Sequence, residues 1–339
     1  MKKIDFRSDT VTTPSKAMKI KMMDAEVGDD VYGEDPSVLK LEEITAELAG
    51  KEAAIFAPSG TQSNLLGIMS HCERGDEYIV GQTAHTYLWE GGGAAVLGSV
   101  QPQPLDFEND GSLCLNKVEQ IIKPNDPHHV RSRLLCLENT TNGKVLSLAY
   151  LQEVQAFCQT RHLASHLDGA RVFNAAVKLN VPLYSISQYF DSISICFSKG
   201  LGAPVGSVLC GSKDVIQKAR RWRKVLGGGM RQAGILAAAG IYALENNITR
   251  LEEDHDNAAL LADGLAEIEG VDVDREALQT NILYVKTPPD YDALYAYLQG
   301  KSIIFPKQPR RGYLRLVTHL DISREDIWHT LEAIKQFYI

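Results

Sequence analysis

Short apolar runs alternate with stretches of helical spacing through the middle of the chain. "AAIFAP" (53–58) reads as a strand and 61–72 as an amphipathic helix. "DEYIVG" (76–81) and "RLLCLEN" (133–139) are strand-like, and helical spacing follows at 148–162. "LASHLD" (163–168) predicts a strand and "ARVFNAAVKL" a helix; "DSISICFS" (191–198) and "GSVLCG" (206–211) predict two more strands. Alternation of this kind predicts an α/β domain around a mostly parallel sheet. Ligands of such sheets sit beyond the carboxyl ends of the strands.

From 213 to 250 the pattern turns helical, broken by the glycines 227–229, and a long helix is expected near 250–269. The last stretch reads as strand (281–286), helix (290–299), strand (303–305), strand (313–319) and a helix from 324, with Ser323 and Asp326 as its cap. The expectation is a large domain, 1–250 with an N-terminal arm, and a smaller C-terminal α+β domain, 251–339. No internal repeat is visible.

Composition narrows the possibilities. The 339 residues are 44% hydrophobic and carry a formal net charge of -8, which argues against nucleic acid as a partner. No run approaches the ~18 apolar residues that span a bilayer, and the start "MKKIDFRSDTVTTP" lacks the apolar region of a secretory signal. A cytoplasmic protein is expected. The six cysteines have no metal-ligand spacing, and several lie in apolar runs, as reduced buried thiols do. His162 and His166 stand four apart, but no carboxylate completes a zinc pattern, so no metal is expected.

Four predicted strand ends carry unusual residues. Ser59-Gly60-Thr61 stands where a helix begins, so backbone N–H groups and two hydroxyls could cradle a phosphate; helix capping is the plainer use of the same residues. Asp168 ends an apolar strand and needs a partner, either Arg171 or the charged ring nitrogen of a cofactor. His85 follows strand 76–81 and could stack on a flat ring or move protons. Lys199 follows a buried strand directly, in "SICFSKGLGAPVG" (194–206), where a cation does not belong for stability alone; a surface lysine in a loop is the plainer alternative. The stretch fits neither a P-loop nor a dinucleotide fingerprint. An amine that can form a Schiff base, an acid for a pyridinium, a phosphate cup and a stacking imidazole together match the needs of pyridoxal phosphate.

The chain also resembles a known family, the low-specificity L-threonine aldolases, over nearly its whole length. The likeness is densest in "DFRSDTVT", "VGDDVYGEDP", "SGTQSN", "LENTTNGKV", "DGARVFNA", "SKGLGAPVGS", "RWRKVLGGGMRQAGILAAAGIYALENN" and "LVTHLD". The resemblance implies the aspartate-aminotransferase-like fold (pyridoxal-phosphate fold type I). It implies cleavage of L-threonine and L-allo-threonine to glycine and acetaldehyde. It also implies a homotetramer, a dimer of dimers with active sites at subunit interfaces. Carried over by motif, Lys199 is the Schiff-base lysine and Asp168 binds the ring nitrogen. Arg171 serves the cofactor's phenolate side and the substrate carboxylate; Ser59, Gly60 and Thr61, with Arg231, hold the phosphate; His85 stacks on the ring. Ser8 and Arg315 complete the carboxylate site, Lys224 and His128 lie near the substrate, and His85 or His128 is the base. Thr141 replaces the histidine of the family's "LENTHNG". The alternative is another lyase of the same fold, β-eliminating or serine hydroxymethyltransferase-like.

Overall fold

The computed structural model describes residues 2–338 apart from 287 and 289. Seven strands form the main sheet: β1 (Ala53–Ala57), β2 (Asp76–Gly81), β3 (Gln101–Leu105), β4 (Arg131–Glu138), β5 (Ala164–Gly169), β6 (Ser192–Cys196) and β7 (Ser207–Gly211). Their order is β1-β7-β6-β5-β4-β2-β3. Only β7 runs against its neighbours. Residues 197–206 are too few for a helical crossover, which takes roughly a dozen residues or more, so the chain returns from β6 as a hairpin. β3, "QPQPL", escapes a reading by hydrophobicity because it carries two prolines. It lies on the sheet's edge, where a missing N–H breaks no ladder.

The α/β expectation holds. β6 and β7 are buried throughout, and Leu41, Phe56, Leu135, Leu167, Ile193 and Phe197 lie in the core that helices make with the sheet. Two helices bear on the site: α1 (Gly60–His71), packed on β6 and β7, and α2 (Lys213–Val225), packed on α1.

A second core joins Leu261, Leu283, Leu316 and Ile327 to Ile4 and Phe6 from the chain's start. Its three-stranded sheet is antiparallel: β8 (Val273–Asp274), β9 (Ile282–Lys286) and β10 (Tyr313–Val317), with β9 central. The expected strand at 303–305 is two residues long, Ile303–Ile304, and pairs in parallel with Ile4–Asp5. Phe6 and Phe305 pack edge to face beside it, ring centres 5.5 Å apart. The last helix, Arg324–Tyr338, starts as read: Ser323 Oγ accepts from Asp326 N at 3.3 Å, and Asp326 Oδ2 from Ser323 N at 2.8 Å.

The basic stretch "KARRWRK" (218–224) is largely a solvated face, with Lys218, Arg220, Arg221 and Lys224 exposed; Arg223 is its buried member, pairing with Asp30 at 2.8 Å and donating to Phe56 O at 2.7 Å, while Arg220 pairs with the buried Glu42. The acidic stretch 26–36 is structural: Asp30 answers Arg223, and the buried Asp35 caps Val38 N at 3.1 Å and accepts from Gly234 N at 2.8 Å. All six cysteines are free; five are buried and Cys114 partly so. Among the described residues no helix is long and apolar enough to cross a membrane.

Candidate active site

The carboxyl ends of β4, β5 and β6 converge on one edge. Glu138 and Asp168 stand in register as neighbours there. Asp168 is 2% exposed and accepts from Ala170 N at 3.0 Å and from Asn64 Nδ2 at 2.9 Å. Among the described residues no cation pairs with it, so the pairing with Arg171 that the sequence leaves open does not form. A buried carboxylate lacking a cationic partner suits a ligand that brings one. Burial, with the charge of Asp168 beside it, pushes the Glu138 carboxyl up to about 7.

Lys199 lies two residues past the buried Phe197, where the hairpin leaves β6. Its carbonyl is fixed twice, by Thr12 Oγ1 at 3.1 Å and Gly202 N at 2.8 Å. Its ammonium has no hydrogen-bond or ion-pair partner among the described residues. Gly206 closes the reversal with φ 106°, and a Cβ there would meet the Phe56 ring at 2.6 Å, so only glycine fits. Cys196 lies against the same lysine. Burial works to raise its thiol pKa, but the Lys199 charge and the hydroxyls of Ser207 and Ser198 outweigh it, and the net shift is downward.

At the start of α1, Ser59 Oγ accepts from Gln62 N at 3.2 Å, so the capping use is realised. Thr61 is exposed, and its hydroxyl makes no hydrogen bond among the described residues. A Cβ on Gly60 would sit 3.3 Å from Cys196 Sγ, which brings the cup against the end of β6. The 227–229 turn passes beside it, since a Cβ on Gly228 would come 1.8 Å from Gln62 Oε1. Arg231 is exposed and paired with Asp29 at 3.1 Å. Lys224 is exposed, its Cδ 3.5 Å from where a Gly229 Cβ would stand.

His85 opens a short helix after β2. Its backbone N–H donates to Glu138 Oε2 at 2.9 Å and its Nδ1–H to Glu90 Oε1 at 2.8 Å. The hydrogen bond to Glu90 outweighs burial and raises the imidazole's pKa. Burial, and Asp168 nearby, raise the Glu90 carboxyl. His85, Glu90 and Asp168 present ligand atoms within 4.8 Å of one another, close enough for a cation to sit among them. His128 does not join this group. It is exposed, bonded to Asp126, in the loop before β4. A strand that long spans ~26 Å, which puts the loop at the opposite edge of the sheet. The His162/His166 pair also separates: His162 ends a helix in the left-handed conformation, while His166 is buried in β5.

The arm from the N-terminus builds the remaining wall. Ser8 caps the turn Asp9–Val11, accepting from Thr10 N at 3.2 Å. Asp9, wholly buried, receives Arg171 through Nε at 2.8 Å and Nη2 at 2.6 Å. Burial alone would raise the Asp9 carboxyl; the charges of Arg171, Lys199 and Arg315 hold it well below the ordinary range. Arg315 on β10 faces Tyr284 on β9 across the ladder and bonds its hydroxyl. Burial and the neighbouring Arg171 lower the Arg315 pKa. Two guanidiniums and one ammonium therefore surround one committed carboxylate, an excess of positive charge fitted to an anion. Sequence reasoning names Ser8 but misses Asp9, Asn64, Glu90 and Glu138. Asp9 and Asn64 sit inside the motifs "RSDT" and "SGTQSN". Glu138 ends a predicted strand, as Asp168 does; nothing local marks Glu90.

The donors and acceptors fit pyridoxal phosphate: a free amine, an acid without a cation, an open helix N-terminus and an imidazole share one edge. Comparisons with known proteins agree. A family model for beta-eliminating lyases matches residues 5–288. The low specificity L-threonine aldolase of Escherichia coli (strain K12) is 58% identical over 325 residues, covering 96% of both chains. In solved structures, the threonine aldolase of Leishmania major superposes with a TM-score of 0.84 at 22% identity, over 99% of this chain and 100% of that one. An alanine–glyoxylate aminotransferase from Nostoc sp. gives 0.74 at 17%, over 100% and 96%. These two likenesses show the fold, the aminotransferase-like one expected. With the family model spanning most of the sequence and a relative so similar along its length, the chain belongs to the beta-eliminating lyase family and, within it, to the low-specificity L-threonine aldolases.

Proposed function

We propose that the chain is a pyridoxal 5'-phosphate-dependent carbon–carbon lyase that cleaves L-threonine and L-allo-threonine to glycine and acetaldehyde by retro-aldol scission of Cα–Cβ. The observation that carries this is the pairing of an uncommitted Lys199 ammonium with an Asp168 that has no cation, at one sheet edge. When bound, the cofactor supplies an electron sink for the carbanion left at Cα. Lys199 holds it through its amine, Asp168 accepts its ring N–H, Ser59, Gly60 and Thr61 hold its phosphate, and His85 covers its ring.

Arg171, Arg315 and Ser8 grip the substrate carboxylate, and the grip turns the Cα–Cβ bond into position to break. His85 is the base for the β-hydroxyl proton. Its Nδ1–H is committed to Glu90, which leaves Nε2 as the basic lone pair. General-base help is worth ~100- to 10,000-fold, so loss of His85 weakens turnover without abolishing it. His128, at the far edge, has a place only at a partner subunit's site; Lys224 and Arg231, exposed on one side, are open to the same use. A homotetramer built as a dimer of dimers, with interfacial sites, suits these placements and the exposed Met23, Tyr32, Val96 and Leu97. A large domain of residues 1–250 and a small one of 251–339 follow the two cores, with the N-terminal arm crossing between them. The cytoplasm is the proposed compartment, in keeping with free thiols.

The test is acetaldehyde release from L-threonine and L-allo-threonine, with D-threonine as control, alongside pyruvate release from cysteine or tryptophan. Pyruvate without acetaldehyde would assign a β-eliminating lyase instead. Full turnover by Lys199→Ala would refute the role of the lysine.

A further inference from the structure

A seam of polar groups runs between α1 and the sheet, under the cofactor side of the site. His71 Nε2 lies 2.8 Å from Ser192 Oγ, and His166 Nδ1 lies 2.8 Å from the same hydroxyl. His166 Nε2 is 3.3 Å from Asn64 Oδ1. Asn64 Nδ2 then reaches Asp168 Oδ2 at 2.9 Å and Glu90 Oε1 at 2.8 Å. Asn64, His166, Asp168 and Ser192 are at most 2% exposed.

The hydrogens in this seam have a single consistent arrangement. Two carboxylates take both N–H bonds of Asn64, so its oxygen must face His166. Nε2 of His166 must then be the donor. Burial holds that ring neutral, with its pKa lowered to about 3, so Nδ1 carries no proton and accepts from Ser192. The Ser192 oxygen in turn accepts from Nε2–H of His71, whose pKa burial lowers to about 4. Every donor points the same way, from His71 toward the carboxylates. Reversing any one link breaks the next.

We propose that His166, backed by Ser192 and His71, is a positioning residue: it locks the Asn64 amide so that one nitrogen holds Asp168 and Glu90 together. One group then sets both the acid that meets the cofactor ring and, through Glu90, the tautomer of His85. The helix geometry supports this. Asn64, Gly67 and His71 recur at the spacing that puts them on one face of α1, and that face lies against β5 and β6. A Cβ on Gly67 would stand 2.6 Å from His166 Cε1, so the helix leaves room for the ring. The helix that carries the phosphate cup at its start thus docks on the sheet through the group that aims Asp168. A ring that merely filled space needs neither hydrogen bond. The proposal rests on reading Asp168 as the partner of the ring nitrogen.

The test pairs His166→Leu with His166→Gln in the full-length holoenzyme. Glutamine can donate to Asn64 and accept from Ser192; leucine can do neither. The readouts are the dissociation constant of pyridoxal 5'-phosphate, measured by dialysis, and separate kcat and KM for L-threonine. Leucine should weaken cofactor binding by roughly 10-fold, the worth of one buried hydrogen bond serving a charged group. It should lower kcat while leaving KM close to that of the parent, and glutamine should recover most of both losses. Unchanged cofactor affinity in His166→Leu, or equal losses in both variants, overturns the proposal. Should the leucine variant not fold, ¹⁵N NMR of histidine-labelled parent protein decides: His71 and His166 must both be neutral and protonated at Nε2 at pH 7. A proton on Nδ1 of His166 overturns the relay. Parent protein that binds no pyridoxal 5'-phosphate would sink the reading of Asp168 instead, and the tautomers would still report on the seam.

Discussion

Gly67→Ala is a substitution whose sign the structure reverses. In a helix interior the change ordinarily stabilises by ~1 kcal/mol, because glycine loses more backbone freedom than alanine on folding. Gly67 lies in the second turn of α1 with nothing unusual in its backbone, so propensity alone predicts a gain. Against that stands the His166 ring, with Cε1 at 2.6 Å, Nδ1 at 2.8 Å and Nε2 at 3.1 Å from the new methyl. The ring is pinned at both nitrogens, so it cannot retreat without stretching its bonds to Ser192 and Asn64. Overpacking of this kind costs ~1–3 kcal/mol, and each strained hydrogen bond adds ~0.5–1.5 kcal/mol. Subtracting the helix gain leaves a net loss of about 1–5 kcal/mol. For 339 residues at ~2.1 cal/mol/K of unfolding entropy each, that is a Tm drop of roughly 1–7 °C. Thermal unfolding of Gly67→Ala should show it, together with weakened cofactor retention. In a His166→Ala background the obstacle is gone, and Gly67→Ala should there raise Tm. A higher Tm for Gly67→Ala in the parent would refute the packing argument outright.

Asp9→Asn should lower stability by ~3–5 kcal/mol, since it leaves Arg171 buried without its anion, and should disturb KM for threonine more than cofactor binding; calorimetry and kinetics read these separately. His71 and His166 both have folded pKa values below the ordinary 6.5, about 4 and about 3. The unfolded chain therefore takes up protons first as pH falls, and stability should decline from about pH 6.5 toward 4 with up to ~1.4 kcal/mol per pH unit from each ring. His166→Gln should flatten that slope in denaturant titrations at stepped pH; an unchanged slope would contradict a neutral buried His166. The Glu90 hydrogen bond raises the His85 pKa, so the basic form of His85 grows in at a higher pH than for an ordinary histidine. Turnover should rise with pH through that region, and Glu90→Gln should move the rise to lower pH; a limb that stays put would remove His85 as the base.

Much of the site can be read from the chain because its parts occupy strand ends. Asp168 and Lys199 stand out by contrast, a charge after a run of apolar residues, and the parallel topology then delivers both to one edge. Ser59–Thr61 stands out because a helix start follows a strand. What stayed hidden has a common cause. Glu90, Asn64 and Asp9 matter through a partner far along the chain, and no local pattern encodes the partner. Asp9 looks like a solvent-facing acid until Arg171, far along the chain, meets it. The case of Arg223 has the same root: the basic spacing of "KARRWRK" is visible, while the acid that receives the buried Arg223, Asp30, lies in another segment. β3 hid behind its prolines, which an edge position tolerates.

The pairing of Ile4–Asp5 with Ile303–Ile304 sets a schedule for biosynthesis. A ribosome adds ~5–20 residues per second, so the arm that carries Ser8 and Asp9 emerges well before the strand that receives it and waits tens of seconds for it. Val317 N and the His319 ring, which bond the backbone oxygens of Phe6 and Asp5, are made later still. The sheet edge with Asp168 and Lys199 can form on the nascent chain while the wall for the amino-acid carboxylate cannot. The pocket for the substrate is thus completed only once Arg315 and the strand that carries it have been made and have met the arm.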